Sequence, residues 1–295
     1  MKNKFLYFAV IFFLNLFLSS SANSREIFNF DVTEIEITQN GNIFKGLKGG
    51  KAFTNDGISI KAENFEYNKI LTTLISDGNV ELRDSKKNII IKANKILYSK
   101  NNEIIIAEKD VELKDLKKNI LIKADKISYF KDQEKIIANK EVELKDLELE
   151  TIIRGDEISY FKKEEKIIAN KEVELIDNKK DIFINTDRIT YLKQKEKIFT
   201  EGKTIASIHS KYNFFSKNVT FLKNEMELSS SYKTIITDNT GSSYEVENFN
   251  FQIKKEFLKA SNISVIQNTA AKIGESERLF FESGFFDLKN KNFKT

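Results

Sequence analysis

Residues 127–144 and 158–175 are nearly the same peptide written twice: Ile127 to Leu144 and Ile158 to Leu175 agree at 16 of 18 positions, differing only at Asp132/Lys163 and Gln133/Glu164. Stepping by the same 31 residues meets a tyrosine at Tyr67, Tyr98, Tyr129, Tyr160 and Tyr191, and a β-branched residue at Val80, Val111, Val142, Val173 and Thr204. A fixed period of this length means a stack of units, none of which buries its apolar face alone. Five such units cover roughly residues 52–206.

Within a unit the apolar residues alternate, which is the period of a strand rather than a helix. In Ile120-Leu121-Ile122-Lys123-Ala124 the even positions share a face, and in Ile127-Ser128-Tyr129 the odd ones do. That change of parity predicts a corner at Asp125-Lys126, where the inward face passes from one sheet to another. The position before the corner is small throughout (Ala62, Ala93, Ala124, Gly155, Thr186), as a tight bend over a narrow core requires. The second half repeats the design, with Ile136-Ile137-Ala138 and Val142-Glu143-Leu144 flanking Asn139-Lys140-Glu141. Glycine stands at this bend in units one and five, Gly78 and Gly202, where a backbone that glycine tolerates best is expected. Turns are expected at Lys131–Glu134 and Lys145–Leu147. The expected fold is all-β: a repeat-built antiparallel β-jellyroll, an open taco-shaped solenoid with two bent strands per 31-residue repeat, advancing about 10 Å per unit.

The inward positions are Ile60, Phe65, Tyr67, Val80, Leu82, Ile91, Ile96, Tyr98, Val111, Leu113, Ile122, Ile127, Tyr129, Val142, Leu144, Ile153, Ile158, Tyr160, Val173, Leu175, Ile184, Ile189 and Tyr191. If the register holds, the tyrosines stack along the array and pack the core or line a groove. Residues 207–295 read as a looser continuation of the same array, with more aromatics. Its last segment, Leu279 to Leu288, resembles the first half of another unit, so the ending at Thr295 is that expected of a fragment or a split gene product.

Composition narrows the chemistry. Without cysteine or proline, neither disulfides nor cysteine-bound metals hold the fold. The net charge of +4 arises from 48 basic and 44 acidic residues that are interspersed, the pattern of a solvated surface rather than a nucleic-acid binder. The one histidine, His209, has only Ser207 and Ser210 beside it, and the carboxylates alternate with lysines on outward positions, as in Lys140 to Lys145. Neither arrangement is a catalytic constellation, so no enzyme, metal site or cofactor is expected. Residues 1–24 have the form of a secretory signal peptide: Lys2 and Lys4, an apolar run from Phe5 to Leu18 broken by Asn15, then Ser19-Ser20-Ser21-Ala22. The expected organisation is thus signal peptide 1–24, repeats 25–206 and degenerate continuation 207–295.

Two stretches carry a family resemblance: Ile122-Lys123-Ala124-Asp125-Lys126-Ile127-Ser128-Tyr129, and Ile75-Ser76-Asp77-Gly78-Asn79-Val80-Glu81-Leu82. Recurring behind a signal peptide, they resemble the OstA-like repeats of the lipopolysaccharide-transport proteins LptA and LptC and of the LptD amino-terminal domain. Phe28 to Val32, the long array and the aromatic tail look most like the LptD region, although the chain lacks that family's large barrel and its cysteines. The resemblance implies a periplasmic protein at the outer membrane that shelters lipid A acyl chains between its sheets, with the inward residues above as the groove. It implies docking to other transport components by strand addition, with Val32, Ile35 and Ile37 as the candidate edge, and contact with the outer membrane through a barrel partner or a missing carboxy-terminal barrel. The rival expectation is a secreted β-solenoid adhesin or polysaccharide binder with a closed core; a plain structural spacer is a third.

Overall fold

The computed structural model describes residues 28–266, 278–290 and 292–294, so the expected signal peptide lies outside the described residues. The described chain is a succession of antiparallel strands, most of them paired with the next. It opens with β1 (Asn29–Thr38), β2 (Ile43–Phe53), β3 (Ile58–Ala62), β4 (Asn64–Asn68) and β5 (Thr73–Asp84). The repeat region proper follows as β6 (Ile89–Ser99), β7 (Ile104–Asp115), β8 (Ile120–Phe130), β9 (Lys135–Asp146) and β10 (Thr151–Phe161). It ends with β11 (Lys166–Asp177), β12 (Ile182–Leu192) and β13 (Lys197–Ile208). Beyond it come β14 (Tyr212–Lys217), β15 (Thr220–Leu222), β16 (Glu227–Ser230) and β17 (Thr234–Asp238). The last strands are β18 (Ser243–Gln252), β19 (Phe257–Ile266), β20 (Arg278–Asp287) and β21 (Asn292–Lys294). Two long strands per repeat is the arrangement the 31-residue period requires.

Each long strand bends at its middle, and the register shows how. On β8 the pairing steps from Lys123 to Lys126 while on β9 it steps from Glu143 to Asn139, so the returning strand carries one residue more. β7 against β8 and β11 against β10 repeat the offset. One surplus residue on one strand is a β-bulge, which bends the ladder locally. Here the bulges align from strand to strand, and the whole sheet folds along that line into two limbs. The inward side chains of both limbs form one apolar core. Ala93, Ala124 and Thr186 lie buried at the inner corner, where a larger side chain would hold the limbs apart.

The bend demands left-handed backbone. Lys109/Asp110, Lys140/Glu141 and Lys171/Glu172 take φ between 49° and 67°, and Gly78 and Gly202 take 80° and 89°. Left-handed φ costs an L-residue roughly 1–2 kcal/mol. A Cβ on Gly78 would also lie 2.5 Å from the Glu63 carboxylate, and one on Gly202 2.0 Å from that of Asp187. Gly78→Ala and Gly202→Ala are each expected to destabilise by about 1–2 kcal/mol, read as a fall in the urea midpoint. Lys140→Gly, where glycine replaces a strained lysine, is expected to raise that midpoint or leave it unchanged.

The array continues past β13 with its bends opened into breaks. β14 and β15 both pair with β13, and β16 and β17 both pair with β18, so each duo is one bent strand interrupted at the corner. β19 pairs with β20, whose end pairs with β21. One turn differs from expectation. Lys145 and Asp146 remain in β9, and the turn runs from Leu147 to Glu150, because Asp146 Oδ1 accepts from the amides of Glu148 and Leu149 at 3.1 and 3.0 Å.

Candidate functional site

All of the inward positions expected from the sequence, from Ile60 to Tyr191, are buried between the limbs. Ile122, Ile127, Tyr129 and Leu144, from both limbs, are wholly inaccessible. The tyrosines do not stack on one another. From Tyr98 to Tyr191 each lies between aliphatic residues of the two flanking strands: Tyr129 opposite Ile105 and Ile136, Tyr160 opposite Ile136 and Ile167. Two strands per repeat set successive tyrosines about 10 Å apart, too far for ring contact. Ring clusters form instead at the amino-terminal end, where Phe28 meets Tyr67 at 5.2 Å and Tyr98 at 5.7 Å and closes the core.

Opposite the fold line, the limbs meet at a mouth between two rows of turns. One row contains residues 116–119 and 147–150; the other contains 131–134 and 162–165. The mouth is bridged by ion pairs that recur with the repeat. Lys131 reaches Asp84 at 3.7 Å, Lys162 reaches Asp115 at 3.1 Å, Lys193 reaches Asp146 at 3.1 Å and Lys223 reaches Asp177 at 2.9 Å. These pairs are almost fully buried, with lysine side chains at most 9% exposed and aspartates at most 2%. The other aspartate oxygen caps its own turn, as Asp115 Oδ1 does for the amides of Lys117 and Lys118. Each aspartate therefore holds its turn and clasps the opposite limb.

Outside this inner row runs a second of reversed polarity, with Lys87 paired to Glu134 and Lys118 to Glu165. The hydrogen bond from each lysine holds the Glu134 and Glu165 carboxyls below the usual glutamate range, against the opposing effect of burial. Leu149 occupies the next lysine position of this row, so Glu196 turns to Lys180 at 3.7 Å. Beside that break Leu147 is 58% exposed.

Directly under the clasps lie the tyrosine hydroxyls. Lys131, Lys162 and Lys223 sit 5.3, 5.8 and 5.4 Å from the ring centroids of Tyr98, Tyr129 and Tyr191. Tyr98 donates to Glu103 at 3.3 Å, whereas the buried hydroxyls of Tyr129, Tyr160 and Tyr191 have no hydrogen-bond partner. Burial, reinforced by the neighbouring carboxylates, pushes all four hydroxyls far above the ordinary tyrosine range, so they stay protonated donors.

Sequence reasoning missed the clasps by treating lysines and carboxylates together as a solvated face. The signal was parity. Asp146 falls in step with Val142 and Leu144, and Lys131 with Ile127 and Tyr129, so both had to point inward. An inward charge requires a partner.

The candidate docking residues are on β1, which pairs with β2 and with no further strand among the described residues. Ile35 and Ile37 are 50% and 58% exposed, while half-buried Val32 packs on the core. His209 is exposed at the β13–β14 turn.

Comparison with known proteins bears on what such an array is. Residues 59–166, from β3 to the first residue of β11, match the profile of the family described as LptA/(LptD N-terminal domain) LPS transport protein. No curated protein matches at a significant level. Among solved structures, this chain is similar to LptH of Pseudomonas aeruginosa, described as the LptA-homologous periplasmic component of the lipopolysaccharide transport device. The match has 12% identity and a TM-score of 0.23, and covers 50% of this chain and 83% of LptH. Over residues 59–166, the bent-strand array is thus similar to the family described as LptA/(LptD N-terminal domain) LPS transport protein.

Proposed function

We propose that this protein is a non-enzymatic component of lipopolysaccharide transport in the periplasm, carrying the acyl chains of lipid A between the two limbs of its array. The observation that carries this reading is the apolar lining that both limbs present from β5 to β13, interrupted only by small buried polar residues such as Ser76, Thr186, Thr200 and Thr204, in a chain whose first repeats match a lipopolysaccharide-transport family. Exposing an acyl chain to water costs about 0.8 kcal/mol per methylene, so a chain of about twelve carbons approaches 10 kcal/mol. A lining that repeats along the array offsets that cost at every step. The interior is filled by its own side chains, and a core packed in this way has no spare room for a chain. Lipid therefore enters only as the limbs part at the mouth.

The edge of β1 at Val32, Ile35 and Ile37 is the proposed docking strand for another transport component, because exposed backbone groups and apolar side chains on an edge accept an added strand. Leu279 and Phe280 on β20, 38% and 72% exposed, are the corresponding apolar residues at the far end. Through such neighbours the array would reach a barrel in the outer membrane.

The closed core also favours a second reading, a solenoid that binds by its outer faces or acts as a spacer. In-cell photo-crosslinking separates the two. With a photoreactive residue at Tyr129, the transport reading expects lipopolysaccharide attached there and not at outward-facing Ser128. A well-expressed protein giving no lipid at Tyr129 or at inward sites in adjacent repeats would leave the solenoid reading in its place.

A further inference from the structure

The clasps do more than shut the mouth. A lysine buried against an apolar core is an unusual place for a cation, and here it recurs with the repeat, in three of the four clasps over a tyrosine ring. Three of the tyrosine hydroxyls, on Tyr129, Tyr160 and Tyr191, are buried donors without an acceptor. A buried donor left unsatisfied costs about 1–3 kcal/mol, so each is primed for an anionic oxygen. Lysine and aspartate stand on opposite limbs, so parting the limbs leaves the ammonium and the hydroxyl together on one side and carries the carboxylate away on the other. What remains on the lysine limb is a cation and a hydroxyl donor at the rim of an apolar cleft.

We propose that Lys162, Lys193 and Lys223 are ligands for the phosphate groups of the lipid, each exchanging its aspartate for a phosphate oxygen as the mouth opens, with the hydroxyls of Tyr129 and Tyr191 as second donors beside Lys162 and Lys223. This rests on the transport reading and names the headgroup chemistry of that same site. The match is of kind: an amphiphile with several acyl chains and more than one phosphate needs an apolar cleft with cations spaced along its rim. The clasp spacing of about 10 Å along the array supplies successive landing points. The aspartate keeps the site neutral and closed when empty, and phosphate, with more charge and more acceptor oxygens, is the stronger partner for ammonium.

The test compares two probes on the full mature chain: an acylated glucosamine disaccharide carrying both phosphates, and the same lipid with the phosphates removed. The wild-type protein is expected to prefer the phosphorylated lipid by about tenfold or more, the effect of one charged hydrogen bond. In a variant combining K162M/D115L with K193M/D146L, which removes each pair whole and leaves no unpaired charge, the ratio is expected to fall towards unity. Thermal unfolding and near-ultraviolet circular dichroism verify that this variant is folded. An unchanged ratio in the folded variant overturns the assignment while leaving lipid carriage intact. Competition by inorganic phosphate at the lipid's own concentration would overturn it in favour of a free-anion site. Failure of both lipids to bind the wild-type chain would remove the transport reading, and this proposal with it.

Discussion

Replacing Lys162 by methionine is expected to lower the stability of the fold by about 3–5 kcal/mol, whereas K162M/D115L is expected to stay within about 2 kcal/mol of wild type. The asymmetry follows from burial. Lys162 and Asp115 lie 3.1 Å apart with side chains 8% and 0% exposed, so neither charge is well hydrated and each depends on the other. Removing the cation leaves a bare carboxylate against the apolar core. Removing both charges abolishes a desolvation penalty that their attraction only roughly repays. The double variant still loses the turn caps that Asp115 provides to Lys117 and Lys118, a loss of about 1 kcal/mol that offsets part of the gain. Urea unfolding of the two single variants and the double completes the cycle. If Lys162→Met were as mild as a surface substitution, the mouth would have to be wet and the clasp only nominal.

Deletion of residues 127–157, one whole period, is expected to leave a cooperatively folding protein, whereas deletion of 127–142 is expected to abolish folding. The first joins Lys126 to Ile158, so Ile158 and Tyr160 take the places of Ile127 and Tyr129 in the same register. Lys162 then occupies the place of Lys131 and pairs with Asp84, because Lys131 and Asp84 lie as far apart in sequence as Lys162 and Asp115, and the deletion removes one period between Lys162 and Asp84. Strand direction, limb order and inward face all survive, as expected when stability is a sum of units and their interfaces. The half-period cut removes the rest of one strand and most of the next, leaving two strand ends fused across the corner with their inward faces opposed. A cooperative thermal transition measured for both deletions distinguishes them, and a half-period deletion that folded would deny that the bent strand pair is the structural unit.

The period, the two strands per repeat, the corner before Lys126 and the small residue inside it were legible because each is a local consequence of the chain. Parity of apolar residues sets the face, and Gly78 and Gly202 mark where the backbone turns left-handed. Interleaving of Tyr129 with Ile105 and Ile136 depends on which strands neighbour each other, and it followed from two strands per repeat only once that count was applied to the ladder. The clasp between Lys193 and Asp146 was the least legible, since it links residues of opposite limbs that share no hydrogen-bonded strand pair. Leu149 shows the limit well. In sequence it is one lysine-to-leucine difference in a turn, and only the fold places it as a break in the outer row of ion pairs.

In the proposed mode of transport, lipid reaches the interior only when the two limbs part at the mouth. The chain contains no cysteine, so a pair introduced by Lys118→Cys and Glu165→Cys, whose side chains touch across the mouth, can be joined by a short bismaleimide without interference. The bridged protein is expected to take up no lipopolysaccharide, while the same variant capped separately with a monofunctional maleimide still loads. Equal loading by the bridged and the capped protein would contradict this mode of transport, and would show that the mouth is not the way in.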